Sequence, residues 1–292
     1  MKLKILRNAC IAAALATLCS GCAQLAFLAV NIPASFGNYS RLTDLRYGQA
    51  VRNTLDVYQP KHRDHAPVVI FIHGGGWNSG DKADYKFVGA ALARAGYVTV
   101  LPNYSLYPQV KFPTFMMDAA AAVAWVKQHA AEWGGDPQHI YLMGHSAGAH
   151  IAMMLALNEQ YLQQVGIRAA DLRGVIGLSG PYDFLPFTFD YMNDLFGPSD
   201  RFALSQPINY VHAGAPPMLL MQGMQDKTVA PKNTVNLAKA LTDVGVPVTV
   251  NYYPKASHSD LIAAFSIPAR GRVPALSEVQ RFIQLREQSA AP

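Results

Sequence analysis

Cysteine is almost absent from this chain. Of its 292 residues only three are cysteines, and all of them lie at or before position 22: Cys10, Cys19 and Cys22. The body of the chain therefore cannot form an internal disulfide, which an exported domain of this size can do without because its core is large. Metal-ligand spacing is also missing among the His, Cys and Asp residues, so the sequence predicts no metal site.

Charged residues are scarce as well. They make up 15% of the chain against 51% hydrophobic residues, which predicts one large core and one domain rather than a disordered or fibrous chain. The net charge of +5 comes mostly from the N-terminus, where the first 21 residues hold three basic side chains and no acidic one. A Lys/Arg stripe with interleaved aromatics is lacking, which argues against nucleic acid as a partner.

The first 22 residues have the three parts of a secretory signal: a basic start, an apolar run over Ala9–Leu18 and small residues before Cys22. The stretch Leu18–Cys22 resembles the lipobox of bacterial lipoproteins, in which the cysteine after the small residues is lipidated and becomes the new N-terminus. Cys19 stands where that motif usually has leucine. We therefore expect a signal peptide over residues 1–22 and a lipid on Cys22 that anchors an exported protein to a membrane, facing the periplasm or the cell exterior.

Two other interpretations of the N-terminus stay open. Signal peptidase could cleave after Ala23 and release the protein. Alternatively, further apolar residues could extend the run into an uncleaved anchor: Leu25, Phe27, Leu28 and Val30. Residues 23–41 contain Pro33 and Gly37 and predict a linker, so we place the main domain over residues 42–292.

Short apolar runs alternate with helical patterns along the main domain. Six runs, β-branched and without alternation, read as strands buried on both faces: Val68–Ile72, Tyr97–Leu101, Ile140–Met143, Val175–Ser179, Met218–Gln222 and Val248–Tyr253. Weaker β patterns precede them at Asp44–Tyr47 and Leu55–Tyr58. Helices are predicted over Ala83–Ala95, Thr114–Trp133, Ala147–Leu157, Lys232–Val244 and Leu276–Arg286. The pattern predicts an α/β protein with a mostly parallel central sheet flanked by helices.

One interval breaks this alternation. Residues 181–217 are rich in Pro, Phe, Tyr and Asp, have no clean period and follow a predicted strand. A loop in that position lies over the carboxyl edge of the sheet, so we expect a small cap or lid there.

A serine nucleophile is predicted at Ser146. It stands at the centre of the G-x-S-x-G pattern Gly144–Gly148, between the predicted strand Ile140–Met143 and the predicted helix that starts at Ala147. In such a strand-to-helix turn the serine hydroxyl is exposed at a strained tip. Five-residue patterns also arise by chance, but here both flanks fit.

A second motif, His73–Trp77 with the letters H-G-G-G-W, follows the strand Val68–Ile72. Bare glycine backbones can aim N–H groups at a developing oxyanion, together with the N–H of Ala147 after the nucleophile. The glycines could instead form a simple flexible turn. His73 is expected to brace this loop rather than act as the base, because the base comes last in this chain order.

The base and the acid are sought downstream of Ser146. His258 follows the last predicted strand in the polar loop 255–259 and is our candidate general base, in preference to His150 and His212. Asp226 follows the penultimate strand and is our candidate acid. Its rivals are Asp183, one strand earlier, and Asp260, two residues after the histidine.

Together these motifs resemble the carboxylesterase branch of the α/β-hydrolases, with a likeness that runs from about Val68 to His258. Trp133–Pro137 and Tyr141–His150 are similar to isoprenylcysteine methylesterase-like and arylformamidase-like relatives. Hormone-sensitive-lipase-like esterases share the triad and H-G-G-G, but where they usually show D-Y-R-L-A-P this chain has Asn103–Pro108. The resemblance implies the α/β-hydrolase fold, no cofactor, and oxyanion donors at three positions: Gly75, Gly76 and Ala147.

The sequence therefore predicts a serine hydrolase that cleaves small-molecule carboxylic esters through an acyl-enzyme. Relatives hydrolyse esters and formyl amides with the same machinery, so an amide-bond hydrolase of the formamidase type stays open. A non-catalytic surface lipoprotein that kept the fold is a third hypothesis, which the complete set of motifs disfavours. The sequence makes no prediction about the oligomeric state.

Overall fold

The computed structural model describes residues 25, 27–62 and 64–289. The predicted signal peptide and the predicted lipidation at Cys22 lie outside these described residues. Within the segment 23–41, a short helical stretch covers residues 27–31, a 3-10 helix covers Pro33–Ser35, and the first strand begins at Tyr39.

Eight strands form a single sheet with the order β1-β2-β4-β3-β5-β6-β7-β8. They are β1 (Tyr39–Arg46), β2 (Thr54–Pro60), β3 (Ala66–Ile72), β4 (Val98–Pro102), β5 (Gly135–His145), β6 (Gly174–Leu178), β7 (Met218–Gly223) and β8 (Val248–Tyr253). The two pairings of β2, with β1 and with β4, are antiparallel, and all the others are parallel. Strands β3, β4, β6 and β7 are buried along their whole length, as their unbroken apolar runs predict.

Helices cover both faces of the sheet. They are α1 (Lys86–Arg94), α2 (Thr114–His129), α3 (Ala147–Leu157), α4 (Gln160–Gln163), α5 (Tyr191–Phe196), α6 (Lys232–Asp243), α7 (His258–Ala263) and α8 (Ala275–Gln288). Helices α2, α3 and α6 pack with Val68 and Ile70 of β3 on one face. Helices α1, α7 and α8 pack with Val69 and Phe71 of the same strand on the other face. Alternate residues of β3 thus pack into two hydrophobic cores, one on each face of the sheet. The predicted α/β fold class is confirmed.

Several elements differ from the prediction. Strand β5 begins at Gly135, five residues before the predicted start at Ile140, because its first residues are mostly polar and only partly buried. Strand β1 begins at Tyr39, five residues before the predicted start, because nearly all of its residues are exposed and give no apolar signal. The segment predicted as a cap contains α5 and two 3-10 helices, Ser199–Ser205 and Pro207–Tyr210. His258 does not lie in a loop but begins α7.

A capping box explains the helix at His258. Ser257 is the N-cap residue, and its Oγ and its backbone N–H lie 2.6 and 2.9 Å from Oδ2 of Asp260. A serine followed three residues later by an acidic residue is a signal for a helix start. Ser257 and Asp260 therefore mark this helix start in the sequence itself.

Candidate active site

Ser146 is the single residue between β5 and α3. Its backbone angles are φ 56° and ψ −124°, which is a strained conformation for a non-glycine residue. Its N–H donates to the carbonyl oxygen of Leu178 at the end of β6, at 2.9 Å. A Cβ on Gly148 would lie 2.0 Å from the carbonyl oxygen of Ile72, so only glycine lets α3 approach β3 this closely. The local packing therefore holds the serine at the tip of a sharp turn.

The loop His73–Trp77 turns back on itself directly after β3. Gly75 has φ 121°, and a Cβ there would lie 2.2 Å from the carbonyl oxygen of Ser79. The N–H and the hydroxyl of Ser79 both donate to the Gly75 carbonyl, at 2.9 and 2.8 Å. The glycine at this position is therefore required by both conformation and space.

Backbone N–H groups in this region are free to bind an anion. Among the described residues, the N–H groups of Gly75 and Gly76 donate to no protein acceptor. Ala147 is the first residue of α3, where an N–H has no partner within the helix. Donors of this kind can stabilise the negative oxygen of a tetrahedral intermediate.

His73 supports the same loop from below. Its Nδ1 donates to the Gly74 carbonyl at 2.8 Å, and its ring stacks on Tyr104 with 4.4 Å between centroids. The Tyr104 hydroxyl donates to the His73 carbonyl at 3.0 Å. Complete burial lowers the pKa of His73 to about 4, so it is neutral at pH 7 and suited to bracing the loop.

Asp226 and His258 form a hydrogen-bonded pair at the carboxyl ends of β7 and β8. Nδ1 of His258 lies 2.7 Å from Oδ2 of Asp226, whose side chain is fully buried. Oδ1 of Asp226 accepts the backbone N–H groups of Thr228 and Val229, each at 2.8 Å. Burial raises the pKa of Asp226, but the bond and charge of His258 and the two N–H groups outweigh it, so the pKa lies below its ordinary value. The ionised carboxylate thus fixes the proton of His258 on Nδ1 and leaves Nε2 as an acceptor.

Gln222, at the end of β7, supports the acid and is itself completely buried. Its Nε2 lies 3.3 Å from Oδ2 of Asp226 and 3.0 Å from the Gly223 carbonyl, while Thr234 donates to its Oε1 at 3.0 Å. The amide is therefore fixed from both ends. It holds the carboxylate oxygen that faces His258.

His145 supports the base. It is the residue before Ser146, and its Nε2 donates to the backbone carbonyl of His258 at 3.1 Å, with the two rings 4.7 Å apart. Burial, and then the charge of His258, lower the pKa of His145 to about 3, so the ring is neutral and Nε2 carries its proton. Its Nδ1 is buried without a partner in the described part of the chain. This role of His145 does not follow from the G-x-S-x-G motif, in which His145 occupies a variable position.

His150 links three parts of the site. Its Nδ1 accepts the indole N–H of Trp77 at 3.2 Å, and its Nε2 donates to the Ser205 carbonyl at 2.7 Å. The oxyanion loop, α3 and the cap segment are thereby joined through one ring. Burial lowers the pKa of His150 to about 4, so the neutral form that makes both bonds is the one present at pH 7.

The rival acids are engaged elsewhere. Asp260 binds Ser257 and pairs with Arg272 at 2.7 Å, and Asp183 accepts from Asn236 at 2.6 Å. Neither of them contacts His258 within the described residues. The structure therefore brings Asp226, and not its rivals, to the imidazole.

A cavity of about 260 Å³ opens onto Ser146 and Ala147. Its walls are mainly apolar. Phe184, Phe189, Tyr191 and Met192 come from the cap, Trp77 from the oxyanion loop and Val229 from the loop after β7. The hydroxyl of Tyr191 donates to the Gly76 carbonyl at 3.1 Å, so the cap touches the oxyanion loop. Sequence reasoning missed Tyr191, because the cap residues show no periodicity that would orient them.

The strained serine turn, the glycine loop and the Asp–His pair at the carboxyl edge of this sheet define an α/β-hydrolase. Residues 55–241 match the model of the BD-FAE family, and the chain belongs to that family.

Curated relatives agree with this assignment. The chain is 29% identical over 276 residues to a probable isoprenylcysteine alpha-carbonyl methylesterase of Arabidopsis thaliana, covering 86% of this chain and 57% of that protein. It is 32% identical over 260 residues to an esterase of Mycobacterium tuberculosis, covering 80% and 61%. It is 28% identical over 228 residues to the kynurenine formamidase of Danio rerio, covering 76% and 75%. The chain thus spans less than two thirds of the length of the first two relatives.

Solved structures share the fold. Esterase B from Lactobacillus rhamnosis superimposes with a TM-score of 0.77 at 23% identity, covering 95% of this chain and 96% of that one. The methylesterase and formamidase relatives confirm the resemblance that the sequence predicts.

Proposed function

We propose that this protein is a serine hydrolase that cleaves carboxylic esters. One arrangement carries the proposal. Ser146 lies at a strained turn and lines an apolar cavity, and backbone N–H groups without a partner among the described residues lie beside it. The hydrogen-bonded pair of Asp226 and His258 lies at the carboxyl ends of β7 and β8. The names of the methylesterase and esterase relatives support the same bond type.

The proposed reaction begins with attack by Oγ of Ser146 on the ester carbonyl carbon, while Nε2 of His258 takes the hydroxyl proton. The carbonyl oxygen becomes an alkoxide, which the N–H groups of Gly75, Gly76 and Ala147 stabilise. Collapse of this intermediate breaks the bond to the alcohol oxygen, and His258 returns the proton to the leaving alcohol. The result is an acyl-serine.

Water completes the cycle. His258 takes a proton from the water as it attacks the acyl-serine, the same N–H groups hold the second alkoxide, and Ser146 leaves with the proton that His258 returns. Asp226 stays ionised throughout and stabilises the imidazolium that forms twice. The apolar walls of the cavity fit an acyl or aromatic group of such an ester.

The test is the substitution Ser146→Ala, measured on a short-chain aryl ester. We expect kcat/KM to fall by at least about 1,000-fold, because the nucleophile is lost while the fold is kept. The matched control is Ser277→Ala, since Ser277 lies on α8 and its hydroxyl donates to the Pro274 carbonyl at 2.9 Å. Equal turnover by Ser146→Ala and Ser277→Ala would overturn the proposal.

An amide-bond hydrolase is the second candidate, and the formamidase relative is the observation that favours it. An ester and an amide with the same acyl group and matched leaving groups separate the two. We expect faster turnover of the ester, and faster turnover of the amide would transfer the assignment to the second candidate. Failure of Ser146 to react with a fluorophosphonate probe would instead favour a non-catalytic protein.

We also propose that the protein is exported and anchored through a lipid on Cys22. The support is the secretory and lipobox-like pattern of the first 22 residues. Metabolic labelling with a fatty-acid analogue is expected to mark the wild type and not Cys22→Ser. Equal labelling of the two would refute this anchor.

A further inference from the structure

The described part of the N-terminal segment is attached to the body along α1. Oδ1 of Asn31 accepts the N–H of Phe87 at 3.0 Å, and its Nδ2 donates to the Asp84 carbonyl at 2.8 Å, so Asn31 caps the start of α1. Arg94, at the end of α1, donates to the carbonyl oxygens of Pro33 and Phe36. The segment is therefore held at both ends of the helix.

One side of this segment supplies its packing contacts. The Phe27 ring lies 5.5 Å from the Tyr85 ring, Ala34 is buried, and Val30 packs against the same core. These contacts fix which side of residues 27–36 faces the protein. The opposite side must then face outwards.

That opposite side is apolar as well. Leu25, Leu28, Ile32 and Phe36 are exposed by 66%, 58%, 55% and 73%, and we call these four residues the N-terminal apolar face. Leu25, Leu28 and Ile32 are spaced by three and four residues, which places side chains on the same side of a helix, and the N–H of Ile32 donates to the Leu28 carbonyl at 3.0 Å. Phe36 follows the 3-10 helix Pro33–Ser35 with an extended backbone. A contiguous apolar side of this kind marks a surface that meets another apolar phase or a partner.

The charge beside this face is positive. Arg94 binds the backbone of Phe36 and lies over the Tyr39 ring at 5.5 Å, and the exposed Arg41 lies 5.8 Å from the Tyr58 ring. Neither arginine forms an ion pair within the residues that the structure describes. Of the nearby carboxylates, Asp84 accepts the N–H of Asp81, and Asp44, which is close enough to Arg41 to interact with its charge, is bound to Lys82 at 2.7 Å.

The chain before the face points to the occupant. Cys22 stands three residues before Leu25, and three residues span at most about 11 Å. If a lipid on Cys22, or an uncleaved anchor in its place, holds the chain in a membrane, this short span places the start of the face at the lipid headgroups. Helices with an apolar side and flanking arginines lie in that region with their apolar side inserted, and anionic lipids attract the arginines.

We propose that the N-terminal apolar face is a surface that contacts the lipid bilayer and orients the catalytic domain on a membrane with anionic lipids. No described helix is both long and apolar enough to cross a membrane. The proposal does not depend on the reaction at Ser146.

Site-specific quenching tests the proposal on the full chain. Cys10 and Cys19 are replaced by serine, and Cys22 keeps its lipid, which blocks its sulfur to the label. A single free cysteine carrying a bimane label is then placed by Ile32→Cys or, as the matched control, by Val51→Cys. Val51 is 89% exposed and lies outside the face, in the turn before β2. The chains are added to vesicles of phosphatidylcholine and phosphatidylglycerol in equal parts that contain a nitroxide-labelled lipid.

We expect several-fold quenching of the label at position 32 and little at position 51. Adding Leu28→Asp to the position-32 chain should reduce that quenching, and vesicles of phosphatidylcholine alone should quench less than the anionic ones. Equal quenching at the two positions, or no quenching at position 32, would overturn the proposal. A different result would also overturn it: without vesicles, gel filtration shows a dimer, and the bimane spectrum at position 32 is shifted in that dimer. The face would then join two copies of the chain.

Discussion

His145 shows how one residue can matter without touching the reaction. It precedes the nucleophile in sequence, yet its Nε2 holds the backbone of His258, whose position comes from a different strand end. The imidazole of His258 is thus fixed by two separate contacts, one from Asp226 to its ring and one from His145 to its main chain. A shift of about 1 Å in a catalytic group can lower the rate by about 100-fold.

We expect His145→Phe to lower kcat by about 10- to 100-fold with little change in KM, because the base loses its main-chain support while the cavity is kept. His145→Gln retains a side-chain N–H donor and should recover part of kcat. The measurement is steady-state kinetics on the short-chain ester, corrected for the folded fraction by circular dichroism. If the two variants lose the same activity, or if only their stability changes, His145 does not position the base.

Some residues of the site could be predicted from the sequence and some could not. Ser146 is marked by the G-x-S-x-G motif between a strand and a helix signal, and Asp226 and His258 each follow a later strand signal in the chain order of the fold. Gln222 and Tyr191 contact the site only because β7 and the cap fold back onto it. Their roles follow from packing, which leaves no local pattern in the sequence.

At the scale of elements, the cap helix α5 and the oxyanion loop meet at one contact. Gly76 has φ 59°, and a Cβ there would lie 2.7 Å from the hydroxyl oxygen of Tyr191. That oxygen is the end of a flexible side chain, and it also donates to the Gly76 carbonyl. The geometry of the oxyanion loop is therefore coupled to the position of the cap.

We expect Gly76→Ala to lower kcat/KM by about 10-fold or more. A residue with a Cβ adopts the left-handed conformation of Gly76 at a cost of about 1 kcal/mol, and the new methyl group displaces Tyr191. In a Tyr191→Phe background the same substitution should cost less, because the clashing hydroxyl is gone. A double-mutant cycle on kcat/KM measures this coupling. Strictly additive effects would show that the two elements act independently.

Elements were predicted well where burial is strong. The interior strands β3, β4, β6 and β7 were placed within two residues at each end, because both of their faces are apolar. The edge strand β1 was placed poorly, because its exposed residues carry no hydrophobic pattern. The helix α7 was missed although its capping box was visible at Ser257 and Asp260.

At the scale of the whole molecule, three histidines are buried in neutral form around the site. Burial lowers the pKa of His73 and His150 to about 4 and that of His145 to about 3, against an ordinary value of about 6.5. Each ring donates one N–H to a backbone carbonyl. The three rings connect the oxyanion loop, the nucleophile turn, the base and the cap.

These histidines make the stability of the fold depend on pH. Below about pH 6.5 the unfolded chain binds protons on all three rings, whereas the folded chain does not bind them until the pH approaches 4. The unfolded state therefore holds more protons in this window, and the free energy of unfolding falls as the pH falls. The slope reaches about 1.4 kcal/mol per pH unit for each histidine. Asp226 adds to the loss in more acidic solution, because its pKa is lowered by folding.

We expect the free energy of unfolding, measured with urea, to decrease steeply between about pH 6.5 and about pH 4.5. The substitution His150→Gln can still accept from Trp77 and donate to Ser205, and it removes one of the three titrating groups. Its slope in this window should therefore be smaller by about 1.4 kcal/mol per pH unit, even if its stability at neutral pH is lower. If the slope of His150→Gln equals that of the wild type, the prediction is wrong. The His150 ring would then take up its proton in the folded state, and its bonds to Trp77 and Ser205 would break without unfolding the chain.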